Sequence, residues 1–282
     1  MSIMNQPAQQ VHTFGKIYEY PNGTYDIVAA STPIFKPKGW EERALRMVRA
    51  EPGSERKEAK PRKEKSDKED LERARRRARA KVRRLALANE FRWFVTLTID
   101  PARVDSYDVA AVTRKLNQWC SNQVKRRGLR YILVPEFHKS GRVHYHGFFS
   151  DSLEAVDSGT ITGVPGAKGP RKPRSKAQRA EWLEAGGKIV YNLPGWTYGF
   201  TTAIELYGEY ERAVAYVCKY IGKDSEKIGG RWYYSGGDLS TPKEQFVDIS
   251  AQEIMEAFDQ AWSKQVPGAL FAGVNGLKGE RQ

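Results

Sequence analysis

The hydrophobic pattern switches between a period of two and a helical period along the second half of the chain. FRWFVTLTI (91–99) is β-branched and aromatic with alternation, which predicts a strand closed by Asp100 and Pro101. Between Tyr107 and Arg127, the apolar residues Val109, Val112, Leu116, Trp119, Cys120 and Val124 recur at helical spacing, and Gly128 ends the run. RYILVPEF (130–137) and RVHYHGFFS (142–150) read as two strands of a hairpin turning at Ser140–Gly141. GFTTAIELYG (199–208) is a further strand, EYERAVAYVCKYIGKD (209–224) a helix ended near Gly222, and GRWYYSGG (230–237) a last strand. Residues 151–198, with a middle of GVPGAKGPRKPRSK, read as an insertion. The order is β-α-β-β-β-α-β. It predicts an α+β fold: an antiparallel sheet with helices packed on one face.

The first half is less regular. Residues 1–40 suggest short strands or an extended arm, and 41–50 a short helix ended by Pro52 and Gly53. SERKEAKPRKEKSDKED (54–70) has almost nothing apolar to bury, so it reads as a solvated linker. LERARRRARAKVRRLALANE (71–90) is rich in helix formers and predicts a long basic helix. The chain thus divides into an N-terminal segment (1–53), a charged linker with a basic helical extension (54–90), a main domain (91–250), and a C-terminal helix and tail (251–282).

Charge narrows the partners. The chain carries 47 Lys and Arg against 34 Asp and Glu, a net charge of +13, which favours a polyanion. No apolar run is long enough to span a membrane. MSIMNQPAQQ lacks the features of a leader peptide. Cys120 and Cys218, the two cysteines, lie far apart, which argues against a cysteine zinc site and fits a reducing cytoplasm. Within the basic helix, Arg75, Arg76, Arg77 and Arg79 are candidate contacts to DNA phosphates.

Two constellations carry candidate chemistry. His144 and His146 alternate along one strand, so both imidazoles project to one face. Glu136, across the hairpin, can add a carboxylate, and His138 is an alternative third ligand. Two nitrogens and one oxygen with open positions suit Mg²⁺ or Mn²⁺. On the helix 209–224, Tyr216, Lys219, Tyr220 and Lys223 fall within an arc of about 100°. Each group has an ordinary structural alternative: surface histidines on a hairpin, and tyrosines packed on the sheet with lysines reaching solvent. Together they suggest a tyrosine attacking a phosphodiester beside a cation.

At these residues the chain resembles the HUH endonucleases, named for His-hydrophobic-His, here His144-Tyr145-His146. It is most similar to replication initiators of small single-stranded DNA phages and related plasmids. FVTLT (94–98), EFHKSGRVHYHGFF (136–149) and AYVCKYIGK (215–223) resemble their three motifs, and YNLPGWTYGF (191–200) has a similar character. The likeness spans roughly residues 91–236 and implies a ferredoxin-like HUH core.

It also implies a metal held by His144, His146 and Glu136. Tyr216 or Tyr220 would attack the scissile phosphate, with Lys219 and Lys223 orienting phosphate or assisting the leaving oxygen. Thr96 and Thr98 on the first strand could face DNA. The implied activity is nicking and rejoining of single-stranded origin DNA through a 5′-phosphotyrosine, starting rolling-circle replication in a bacterial host cytoplasm. No G-x-x-x-x-G-K-[ST] motif is present, so unwinding and synthesis would fall to a host helicase and polymerase. Competing readings are a single-strand transposase or relaxase of the same superfamily, and a non-catalytic nucleic-acid-binding protein.

Overall fold

The structure, a computed structural model, describes residues 12–29, 67–206, 208, 210–223 and 226–250. The helical pattern at 41–50, most of the charged linker and the C-terminal helix lie outside the described residues. In chain order the elements are β1 (His12–Glu19), β2 (Tyr25–Ala29), α1 (Asp67–Leu87), β3 (Trp93–Ile99), α2 (Val109–Arg127), β4 (Tyr131–Phe137) and β5 (Val143–Phe149). Then follow β6 (Val156–Thr162), α3 (Lys176–Glu184), β7 (Lys188–Asn192), β8 (Gly199–Glu205), α4 (Tyr210–Tyr220), β9 (Tyr234–Gly236) and β10 (Lys243–Ser250).

The chain forms two compact units, one of residues 67–241 and one that contains the remaining strands. In the latter, β1 pairs antiparallel with both β2 and β10. The Tyr20 hydroxyl donates to buried Asp26 at 2.6 Å. Strand β10 corrects the boundary at 250 suggested by the sequence. It belongs to this small sheet, with Ile17 opposite Gln245, and not to the main domain.

The larger unit is built on an antiparallel seven-stranded sheet, ordered β6-β7-β8-β3-β5-β4-β9. Odd-numbered residues of β3 (Trp93, Val95, Leu97 and Ile99) are buried under α2, whose Val112, Leu116, Trp119 and Cys120 fill the same core. Helix α2 begins where the Asp108 side chain accepts from the Ala111 amide, and ends at Gly128, whose φ of 66° admits the left-handed turn.

Helices cover both faces, not one. Phe148 and Ile132, fully buried on the opposite face, need cover of their own. Helix α4 supplies it, with Tyr210 against Phe148 at 6.0 Å between ring centroids. Helix α1 braces α4: Tyr210 donates its hydroxyl proton to the main chain at Ala86 or Asn89, and Arg79 Nε donates to the Ile221 carbonyl at 2.9 Å. The basic helix is therefore an integral part of this unit. Its apolar positions Val82, Leu85 and Ala86 are buried, which 21 residues of good helix formers with one apolar stripe allow. The 151–198 insertion is also structural, since β7 pairs with β8 and extends the sheet.

Candidate active site

Antiparallel register brings the predicted residues into adjacent rows on the face that α4 partly covers. One row runs across four strands through Phe200, Thr98, His144 and Glu136. The next runs through Thr202, Thr96, His146 and Val134. Paired residues in an antiparallel ladder share a face, so the two histidines, the glutamate and both threonines point the same way.

His146 lies between two partners. Its Nε2 is 2.9 Å from Glu136 Oε2, and its Nδ1 is 3.1 Å from Thr96 Oγ1. An ionised carboxylate only accepts, so in this arrangement Nε2 carries the proton and Thr96 donates to Nδ1. Burial pushes the pKa of both His144 and His146 down, and for His146 this outweighs the nearby Glu136. His144 instead stacks on His138, at 5.0 Å and 16°. Lys223 forms an ion pair with the other Glu136 oxygen.

Helix α4 brings the tyrosines to this face. The Tyr220 ring stacks on His146 with centroids 4.2 Å apart, and its hydroxyl donates to the Tyr216 hydroxyl at 2.6 Å. Tyr216 packs edge-on against Phe94 while staying 48% exposed. Burial, and then the bond to Tyr216, raise the Tyr220 pKa. The helix ends at Tyr220, so Lys223 does not continue the predicted helical stripe. The chain reverses at Gly222 (φ 81°), and Lys223 reaches Glu136 from the turn. Lys219 remains on the helix and is exposed.

Among the described residues, no three His, Cys, Asp or Glu side chains stand ready to hold an ion without rearrangement. The donor set nevertheless fits Mg²⁺ or Mn²⁺. Glu136 and His146 approach to 2.9 Å, close to the roughly 3 Å between neighbouring ligands of an octahedral ion with bonds of about 2.1 Å. Turning His144 away from His138 would add the second nitrogen.

The predicted DNA contacts divide. Arg75 pairs with Glu72 and lies 5.4 Å from the Trp232 ring, and Arg79 is bonded to Ile221. These two hold α1 in place, whereas Arg76 and Arg77 are exposed. Thr96 bonds His146, and Thr98 sits between His144 and Phe200 in the row.

Gly147 escaped the sequence reading. A Cβ there would stand 1.9 Å from the Ile132 carbonyl oxygen, so only glycine lets β4 approach β5 beside His146. A glycine following a histidine in a strand was the available signal.

Residues 92–225 match a family model of replication-associated proteins, the ORF2 type. The matched segment runs from the start of β3 past the end of α4 and takes in Glu136, both histidines, both tyrosines and both lysines. It is consistent with a replication initiator that binds origin DNA. No curated protein and no solved structure matches the chain. Among the described residues, no helix is long and apolar enough to cross a membrane.

Proposed function

We propose that the chain starts rolling-circle DNA replication as an HUH-type initiator, cutting one strand at an origin through a tyrosine. The observation that carries this reading is the seating of Tyr220 on His146, with Tyr216 bonded to it and Lys223 on Glu136. Two phenols, two imidazoles, a carboxylate and an ammonium group meet on one sheet face, an arrangement with no need in a core.

The phenol oxygen of Tyr216 or Tyr220 bonds to the scissile phosphorus, and the bond from phosphorus to the 3′ oxygen breaks. The tyrosine loses its proton, and the departing 3′ oxygen gains one, for which Lys219 and Lys223 are the nearby donors. A free 3′-hydroxyl and a 5′-phosphotyrosine result. Rejoining is the reverse attack by a 3′-hydroxyl.

Glu136, His144 and His146 would hold Mg²⁺ or Mn²⁺, which when bound supplies a Lewis acid for the phosphate oxygens. His146 then needs its Nε2 unprotonated, with the proton on Nδ1. The Thr96 hydroxyl can serve either tautomer, because it both donates and accepts. The lowered imidazole pKa values favour the neutral form that binds metal.

The test is incubation with origin-like single-stranded DNA and Mn²⁺, followed by a denaturing gel. Shortened DNA with protein attached to the 5′ side of the break supports the reading. Tight binding without cutting would favour a non-catalytic DNA-binding protein.

A further inference from the structure

We infer that Phe200 is a stacking platform for a nucleobase of the single strand passing the candidate active site. This inference rests on the proposed single-stranded DNA substrate.

Phe200 lies on β8, an interior strand of the seven-stranded sheet, yet is 66% exposed. Its face of the sheet is covered elsewhere. Tyr210 lies against Phe148, Tyr216 against Phe94 and Tyr220 against His146. That cover stops one row short of Phe200. Among the described residues no aromatic ring or cation is paired with it. A lone exposed aromatic is common, so its position has to decide.

Phe200 is the neighbour of Thr98, which is the neighbour of His144, which faces Glu136. The ring therefore lies two strands, about 10 Å, from the His144 backbone, on the same face. A second exposed ring flanks the site from the other side. Tyr107 is 57% exposed, 3.6 Å from the space beside Gly141 in the β4–β5 turn, with the Arg142 guanidinium 5.9 Å from its centroid. On the Phe200 side, Arg103 donates to the Thr197 carbonyl, three residues before the aromatic ring. Exposed rings beside cations, spaced across a sheet, match the needs of an unpaired strand. Its bases offer π-faces and its backbone offers negative charge. A duplex would keep its bases stacked on each other and leave Phe200 unused.

The test is equilibrium binding of a fluorescein-labelled oligothymidylate in EDTA, so that cleavage plays no part. Phe200→Ala and Phe200→Leu are each expected to weaken binding about tenfold, because leucine keeps the apolar area but not the π-face. Phe200→Tyr and Phe200→Trp should retain affinity, and the new tryptophan emission should be quenched as the oligonucleotide saturates. Unchanged melting of Phe200→Ala would confirm that the exposed side chain is not needed for folding.

Wild-type affinity in Phe200→Leu, or unquenched emission in Phe200→Trp, would overturn the inference. So would a wild-type dimer that Phe200→Ala disperses, since the ring would then be an interface between copies. Cleavage measured separately keeps the two readings apart. A protein that binds through Phe200 but never cuts retains the platform and loses the nuclease.

Discussion

The Tyr220 ring lies 10° from parallel to the His146 imidazole, while its hydroxyl donates to Tyr216. One helix turn thereby links both phenols to the sheet face that carries the histidines. Tyr216 is the more exposed, and Tyr220 is the one touching the candidate metal ligand. If both are nucleophiles, Tyr216→Phe and Tyr220→Phe should each still form some covalent adduct on a short oligonucleotide, and the double variant none. Each single variant should lose strand circularisation more severely than the first cut, because closing a circle needs a free phenol while the other is esterified. Loss of every adduct in one folded single variant would replace this with a one-tyrosine scheme.

Thr96 should matter through His146. Thr96→Val removes the hydroxyl that pairs with Nδ1 and is expected to weaken Mn²⁺ binding about 10- to 100-fold. Thr96→Ser should restore most of it. Calorimetric Mn²⁺ titration reads the effect without any reaction, and equal affinity in the valine variant would remove Thr96 from this role.

The arginines of α1 should separate into two classes. Arg76→Gln with Arg77→Gln should leave the melting temperature unchanged and lower the salt dependence of DNA binding, as expected for exposed phosphate contacts. Arg79→Ala should lower the melting temperature, by about 1–3 kcal/mol of stability, because it leaves the Ile221 carbonyl without its guanidinium partner. Thermal denaturation and a salt titration of binding together check both halves.

Acid should destabilise the metal-free protein before its carboxylates titrate. His144 and His146 have folded pKa values below the ordinary 6.5, so the unfolded chain takes up protons first as pH falls. Stability is fully present above about pH 6.5, declines below it, and levels off once the folded imidazoles also protonate. Urea denaturation across this range measures the slope. Replacing both histidines with glutamine should flatten it.

Much of the main sheet was legible in the sequence because its strands announce themselves. Alternation in FRWFVTLTI sets one buried and one partly open face, and the observed burial of β3 follows it residue by residue. The spacing of His144 and His146 likewise fixes a shared face, since strand geometry allows little else. What stayed hidden depended on contacts distant in sequence. The composition of α1 suggested a solvated basic arm, but its alanines and Val82 form a stripe that only α4 makes meaningful. Strand β10 closes against β1 across more than 200 residues, and no local pattern names that partner. The path of Lys223 depended on a left-handed turn at Gly222, which composition suggests as a helix end but cannot aim.

The most direct test of the central claim is mass spectrometry of the protein trapped on single-stranded DNA in Mn²⁺. Trypsin cuts after Arg212, Lys219 and Lys223, so it separates AVAYVCK, with Tyr216, from YIGK, with Tyr220. The account predicts a 5′-phosphonucleotide on the tyrosine of one or both peptides, lost when both tyrosines become phenylalanine. Cut DNA with a free 5′-phosphate and no modified peptide would contradict it.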